Sequence, residues 1–403
     1  MPFRSERVCG NQDKVCDFCV SFTCFVTTVC MSGIYLHVPF CKQACHYCDF
    51  HFSTDTSSSA ELTDAMVKEL GNQREYLNES VTTIYFGGGT PSLLGMKQMD
   101  LLLSTIASNY SLAADAEITL EANPDDLTKE KLNSLRAAGI NRLSIGIQSF
   151  DDSVLKFLNR AHDASGAMTS LKNVKEAGFK NISIDLIYAI PGLSEKIWEQ
   201  TLATTISFSP EHISSYALTI EERTVFGNWV KRGKLHPMEE EPAARQFEIL
   251  TEVLSRNGYE QYEISNFCKP GFHSKHNSSY WKDSRYLGIG PSAHSYNGQS
   301  RQFNVRNNAR YVRLIQSDEP AFEKEILTKE NKINEYILTT LRTIWGCDLD
   351  FLKNQLNDDL RVRKGEYLSK LGHEGLVSIE NNILRLTKKG KLVADKITED
   401  LIV

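Results

Sequence analysis

No stretch of the 403-residue chain approaches the ~20 consecutive apolar residues that a membrane-spanning helix needs, so a soluble protein is expected. An excess of basic residues is also missing, with 45 Lys and Arg against 51 Asp and Glu and a formal net charge of -6. Binding along a phosphate backbone requires concentrated Lys and Arg, so nucleic acid is not expected as the main partner. Cysteine is present but unevenly placed. Of ten cysteines, five precede Met31 and three fall between residues 41 and 48, a clustering that suits metal ligation better than scattered crosslinks. At 41% hydrophobic and 24% charged residues the composition is ordinary for a globular protein, long enough to bury a large core and to hold two domains.

Residues 1–30 differ from the rest. "VCDFCVSFTCFVTTVC" holds Cys16, Cys19, Cys24 and Cys30 but lacks the small-residue cleavage site and basic start of a signal peptide. Cys16 and Cys19 have zinc-ligand spacing, yet the other two are irregularly spaced and no histidine lies nearby. Met31 runs directly into a strand-like segment, so residues 1–30 are expected to be an upstream extension without a folded role.

After residue 33, β-rich runs alternate with amphipathic ones. Strands are expected at 33–40, 82–88, 117–124, 142–148, 181–191 and 212–220. Helical patterns lie between them, such as "MKQMDLLLSTIASNY" and "TKEKLNSLRAAG", the latter capped by Thr128 and ended by Gly139. Six β-α units in series predict a parallel α/β sheet, either doubly wound or curled into a full or partial barrel. Both architectures place the ligand site at the C-terminal ends of the strands. There stand a cysteine loop, "GGGTP", "EANP", Gln148 and Asp185.

The alternation is lost from about residue 225. "HNSSYWKDSRYLGIGPSAHSY" is loop-like, and the chain then ends in a mostly helical segment with a helix, a short hairpin turning at "ENN", and a helix, a winged-helix-like order. Residues 329–403 carry 13 Lys and Arg against 12 Asp and Glu, which favours a packing domain over a DNA-binding one.

Cys41-x3-Cys45-x2-Cys48 lets three thiolates of one short loop converge on one inorganic core. On a cubane of four irons, three thiolates leave one iron open to a chelating molecule, whereas electron-transfer clusters use four cysteines. The competing reading is zinc with His46 or His51 as fourth ligand, although zinc sites favour paired elements and no second cysteine pair follows. Gly87, Gly88 and Gly89 permit close backbone approach to a ligand. Glu121, Gln148 and Arg160 are individually ambiguous, whereas Asp185, inside "ISIDLIYAIP", would be costly to bury without a partner.

The triad, Tyr47 before its third cysteine and "YFGGGTPSLL" together resemble the radical S-adenosylmethionine (SAM) superfamily, in which the open iron is chelated by SAM and one electron cleaves SAM to a 5′-deoxyadenosyl radical. "IYLHVPFC", "EANPDDLT", "GINRLSIGIQSF", "LNRAH" and "IDLIYAIPG" extend the similarity over nearly all of residues 33–403 to the oxygen-independent coproporphyrinogen III oxidase family. The resemblance implies a partial (β/α)6 barrel with a C-terminal helical domain. It implies a [4Fe-4S] cluster on Cys41, Cys45 and Cys48. It also implies SAM contacts at Tyr35, Tyr47, Gly88, Gly89, Thr90, Glu121, Gln148, Arg160, Asp185 and Ala217. The division it suggests is a core barrel over 31–225, its completion over 226–304 and the C-terminal domain over 305–403.

Two branches of that family differ here. The oxidase branch carries CxxxCxxCxC and "NREQ", where this chain has Phe50 and "NRAH". The HemW haem-chaperone branch resembles this chain at CxxxCxxCDF and at HNxxYW, seen as His276, Asn277, Tyr280 and Trp281. That resemblance implies haem as a third cofactor, with His276 on the iron and Tyr280 and Trp281 on the porphyrin, His273 and His294 being lesser candidates. Read from the residues alone, HNxxYW is a loop-helix junction with Asn277 as cap and both aromatics in the core. The implied partners are a haem-acceptor protein, a one-electron donor such as flavodoxin or ferredoxin, and a second copy of the chain, in the cytoplasm.

Overall fold

The computed structural model describes residues 32–282 and 284–403, so the reading of Cys16, Cys19, Cys24 and Cys30 lies outside the described residues. Six parallel strands follow the expected order: β1 (Ser32–Val38), β2 (Val81–Gly88), β3 (Leu112–Ala122), β4 (Arg142–Gln148), β5 (Ile182–Tyr188) and β6 (His212–Ala217). Their alternation explains why they form and which way they face. In β4, Leu143, Ile145 and Ile147 are fully buried in the hydrophobic core, whereas Ser144, Gly146 and Gln148 line an interior cavity. β5 repeats the pattern, with Ile184 and Leu186 in the core and Asp185 and Ile187 on the cavity. Helices Ser59–Asn72, Met96–Asn109 and Lys129–Ala137 lie between these strands, the last with the Thr128 hydroxyl accepting from the Lys131 amide as expected of an N-cap.

Neighbouring strands run 1-2-3-4-5-6 without reversal. A doubly wound sheet reverses its strand order midway, so the barrel alternative is the one realised, and the sheet stays open because β1 and β6 do not pair with each other. The region where alternation fades in the sequence extends the sheet at both ends. β7 (Glu260–Glu263) and β8 (Asn266–Cys268) add antiparallel to β6. β9 (Arg285–Ile289) pairs parallel with β1, and β10 (His294–Tyr296), β11 (Ser300–Asn304) and β12 (Phe322–Ile326) follow antiparallel.

A second, smaller hydrophobic cluster spans Ile333 to Leu401 around a three-stranded sheet of Cys347–Asp348, Ile383–Leu386 and Val377–Glu380. Asn381 and Asn382 turn its hairpin with φ of 51° and 61°, both in the left-handed region as a primed turn demands. Helix Leu360–His373 precedes the hairpin and helix Ala394–Leu401 follows it, the winged-helix-like order. Tyr311, Val312 and Ile315 pack in the first cluster, and the buried residues of the second begin at Ile333. Ile264 packs against both clusters, and the Arg342 guanidinium, 2.9 Å from buried Glu263, ties them together.

Candidate functional site: a cysteine loop over a polar half-barrel

The C-terminal ends of β1–β6 open into a cavity of about 970 Å³. Tyr35, Tyr47, Gly88, Gly89, Thr90, Glu121, Gln148, Arg160, Asp185 and Ala217 all line it, together with Cys41, Cys45, Cys48 and Tyr280. Residues from Tyr35 to Tyr280 are therefore gathered by strand order, by the cysteine loop after β1 and by the helix Lys275–Trp281.

The cysteine loop is pinned at its base and middle. Cys41 donates its amide to the Ser53 carbonyl at 3.0 Å, and Ser53 returns its own to Pro39 at 2.7 Å. Farther out, the Asn159 side-chain amide donates to the Ala44 carbonyl at 2.7 Å and the His46 amide to Leu158 at 3.1 Å. His46 spends Nδ1 on the Phe157 carbonyl (3.0 Å) and packs its ring against Phe226 and Trp229, while His51 Nε2 pairs with Asn308 at 2.7 Å. Among the described residues no three His, Cys, Asp or Glu stand close enough to share one metal ion. Each of the two histidines considered as a fourth zinc ligand thus has a ring nitrogen engaged elsewhere, whereas thiols spaced around a loop suit separate irons of a larger core. Burial pushes the Cys48 thiol up to about 11 and the Cys41 thiol upward, so metal binding at this loop displaces protons.

Two groups address the sulfurs directly. The Thr90 hydroxyl donates to Cys41 Sγ at 3.4 Å, and Arg160 Nη1 donates to Cys45 Sγ at 3.3 Å. Arg160 is aimed by its other nitrogen, which donates to Asn123 Oδ1 (2.6 Å) and the Gly146 carbonyl (2.7 Å). Asn123, from "EANP", is a site residue whose role was not visible in the sequence.

Glycine at the β2 turn is a steric requirement. A Cβ on Gly89 would stand 2.6 Å from the Phe40 carbonyl oxygen, and Gly88 has φ of +109° with its would-be Cβ 2.7 Å from the His37 ring. The Gly88 amide donates to Glu121 Oε2 at 3.2 Å and the Tyr85 hydroxyl to Oε1 at 2.8 Å. Burial outweighs these donors and pushes Glu121 up to about 7. Asp185 is likewise raised by burial but is answered by hydroxyls, Ser144 at 3.0 Å and Ser183 at 3.2 Å. Gln148 sits at a register break of β4 with φ of +67°, which turns its side chain into the cavity.

Arg142 escaped the sequence reading although its charge, opening the apolar run "RLSIGIQ", was a usable signal. It is 1% exposed, and its Nε and Nη1 have no hydrogen-bond partner. Its charge favours the ionised forms of Glu121 and Asp185.

The HNxxYW residues divide. His276 is 1% exposed, with Nδ1 2.8 Å from the Thr83 hydroxyl, Nε2 2.9 Å from the Tyr280 hydroxyl, and its ring stacked on Tyr85. Both ring nitrogens are hydrogen-bonded inside the barrel, so in this structure His276 stands as a pillar between β2 and the helix Lys275–Trp281. Asn277 is not the cap, since the Ser274 hydroxyl accepts from the Asn277 amide, and the Asn277 residue lines the cavity with Tyr280. Trp281 is half-buried and does not line the cavity, and its indole N–H has no partner. His273 packs between Tyr262 and Trp345, also away from the cavity, whereas His294 lines it.

A model of the radical SAM superfamily matches residues 35–204, and one of the HemN C-terminal domain matches 327–393. The chain is 36% identical over 371 residues to the protein named Heme chaperone HemW of Bacillus subtilis, covering 91% of this chain and 98% of that one. It is 34% identical to the Lactococcus lactis protein of the same name, covering 92% and 97%. Among solved structures it resembles the radical SAM enzyme coproporphyrinogen III oxidase of Escherichia coli with a TM-score of 0.80, at 23% identity and covering 92% and 90% of the two chains, a likeness of fold. Sequence similarity along almost the full length of these relatives, on the half-barrel and cysteine loop described above, places the chain in the HemW family of radical SAM proteins.

Proposed function

We propose that this protein is a haem chaperone, binding haem and passing it to acceptor proteins, on a scaffold that also holds a [4Fe-4S] cluster and SAM. The observation that carries the cluster and SAM is the single cavity shared by three half-buried thiols, two of them with donors on sulfur, and a glycine-only turn. When bound, the cluster and SAM supply one-electron chemistry that the chain's own side chains lack.

The residues present have clear tasks in that reading. Cys41, Cys45 and Cys48 hold the cluster, and Arg160 and Thr90 offset its negative charge through N–H and O–H donors to sulfur. Gly88, Gly89 and Thr90 cradle the methionine end of SAM. Glu121 and Asp185 supply carboxylates for its ammonium and ribose, and Tyr35, Tyr47, Gln148 and Ala217 shape the remaining wall. The proposed partners are a haem acceptor, a one-electron donor such as flavodoxin or ferredoxin, and a second copy of the chain. The proposed setting is the cytoplasm; among the described residues no helix is long and apolar enough to cross a membrane.

The second reading, oxygen-independent coproporphyrinogen III decarboxylation, is favoured by the fold likeness to that enzyme. Phe50, in place of a further cysteine and 71% exposed on the cavity lining, weighs against it. Anaerobically reconstituted protein should shift the Soret band on titration with haem and leave coproporphyrinogen III unchanged beside an active oxidase. Absence of haem binding would overturn the chaperone reading, and protoporphyrinogen formation would establish the alternative.

A further inference from the structure

The helix Lys275–Trp281, "KHNSSYW", is too short to hold its own position. Its 7 residues fall well below the ~12–15 at which an isolated helix becomes marginal. It also has no aliphatic side chain to bury, its buried residues being His276, Ser278 and Ser279. Polar and aromatic contacts must therefore fix it, and they come from two different parts of the molecule.

The barrel holds the N-terminal end. Glu117 of β3 accepts from the Lys275 and His276 amides at 3.2 and 3.1 Å, and the Ser274 amide donates to the Tyr262 hydroxyl at 3.4 Å. The C-terminal domain holds the other end. Lys282 Nζ lies 4.4 Å from the centre of the Trp345 ring, a cation–π contact. The same indole stands 5.9 Å from the His273 ring, which meets Tyr262 edge-on at 4.7 Å. Trp345 thus stands against the residues that flank the helix on both sides.

The place of Trp345 is set by the backbone before it. The Ile344 amide donates to the Tyr262 carbonyl at 3.0 Å and the Ile264 amide to the Arg342 carbonyl at 3.1 Å. This antiparallel splice fastens residues 342–344 to the end of β7, and Trp345 follows directly. The helix it holds presents Asn277 and Tyr280 to the cavity, so one short element carries both a cavity wall and an interdomain contact.

We propose that Trp345 is a positioning residue: through Lys282 and His273 the C-terminal domain holds the helix Lys275–Trp281 at the cavity, and loosening this contact speeds the release of haem. The inference rests on the haem reading above. A chaperone must keep haem and also give it up, and a contact worth about tenfold in an equilibrium is strong enough to hold the helix yet weak enough for a partner to undo.

The test uses the full, cluster-reconstituted chain. Hydrogen exchange of peptides covering residues 275–282 reads the helix, and transfer of bound ferric haem to excess apomyoglobin reads release. Trp345→Leu keeps bulk without a π face, Trp345→Phe keeps a π face, and Lys282→Met keeps length without charge. The last alters an exposed side chain and serves where a Trp345 variant fails to fold. Trp345→Leu should exchange and transfer about tenfold faster than wild type and Lys282→Met about threefold faster, while Trp345→Phe stays within about threefold of wild type. Iron and sulfide per chain should remain at the wild-type level in all three, which separates the effect from general loosening. Wild-type exchange in the folded variants would overturn the positioning role, and faster exchange with unchanged transfer would overturn its link to release. A wild type that binds no haem would remove the chaperone reading, while exchange would still decide whether Trp345 holds the helix.

Discussion

The His276 ring nitrogen Nε2 and the Tyr280 hydroxyl oxygen lie 2.9 Å apart inside the barrel, with Thr83 2.8 Å from the other ring nitrogen. This chain of hydroxyl, imidazole and phenol links β2 to the helix Lys275–Trp281 and sets where Tyr280 meets the cavity. His276→Ala should cost about 2–4 kcal/mol by opening a cavity and orphaning two hydroxyls. Denaturant unfolding of the variant checks this, and a loss below about 1 kcal/mol would contradict the pillar role.

Gly89→Ala brings a methyl group to 2.6 Å from the Phe40 carbonyl oxygen, backbone that cannot swing away. Phe40 leads into Cys41, so the strain of about 1–3 kcal/mol should be relieved by displacing the cysteine loop. Reconstituted iron and sulfide per chain should fall. Wild-type loading would show that the loop tolerates the shift.

Arg160→Met removes both an N–H donor and a positive charge from Cys45. The reduced cluster carries the greater negative charge, so it loses more stabilisation than the oxidised one. The reduction potential should become more negative by on the order of tens of millivolts, measured by redox titration of the reconstituted cluster. An unchanged or higher potential would remove Arg160 from this role.

Glu121 is pushed up to about 7 by burial. If its carboxylate receives the SAM ammonium, binding below pH 7 must first expel a proton, and affinity should fall by up to about tenfold per pH unit. Glu121→Gln should weaken binding at pH 8 and flatten this dependence. Arg142→Met should move the midpoint upward, because the buried guanidinium favours the ionised carboxylate. Calorimetric titration between pH 5.5 and 8 reads all three proteins, and a flat wild-type profile would exclude Glu121 as the titrating group.

Glu69, on helix Ser59–Asn72, is buried and accepts from the Gly290 amide, the Asn304 side chain and the Tyr311 hydroxyl. Burial nevertheless pushes its pKa up to about 7 from 4.5. The folded state thus binds more protons than the unfolded one between these values, and the contribution of Glu69 to stability declines as pH rises through them. Any stability advantage of wild type over Glu69→Gln should shrink between pH 4.5 and 7, by up to about 3 kcal/mol. Unfolding curves at several pH values would expose an advantage that instead grows.

Local chemistry was legible in the sequence because local spacing encodes it. Cys41-x3-Cys45-x2-Cys48 must share one loop, three consecutive glycines must mark a close backbone approach, and Asn381-Asn382 must turn a hairpin. The six strands were legible because apolar core positions alternate with small or polar positions facing the cavity, as in β4 and β5. The extra strands β7 to β12 were not, being short, polar on one side and completed by distant partners. Strand order, and with it the open half-barrel, was decided only in three dimensions, since both candidate architectures share one alternation. The same holds for side-chain partners. Glu69 meets Tyr311, Arg160 meets Cys45 and His276 meets Thr83 through strand register and helix placement. No local pattern carries that information, so the placement of the His276 ring between Thr83 and Tyr280 was decided only by tertiary structure.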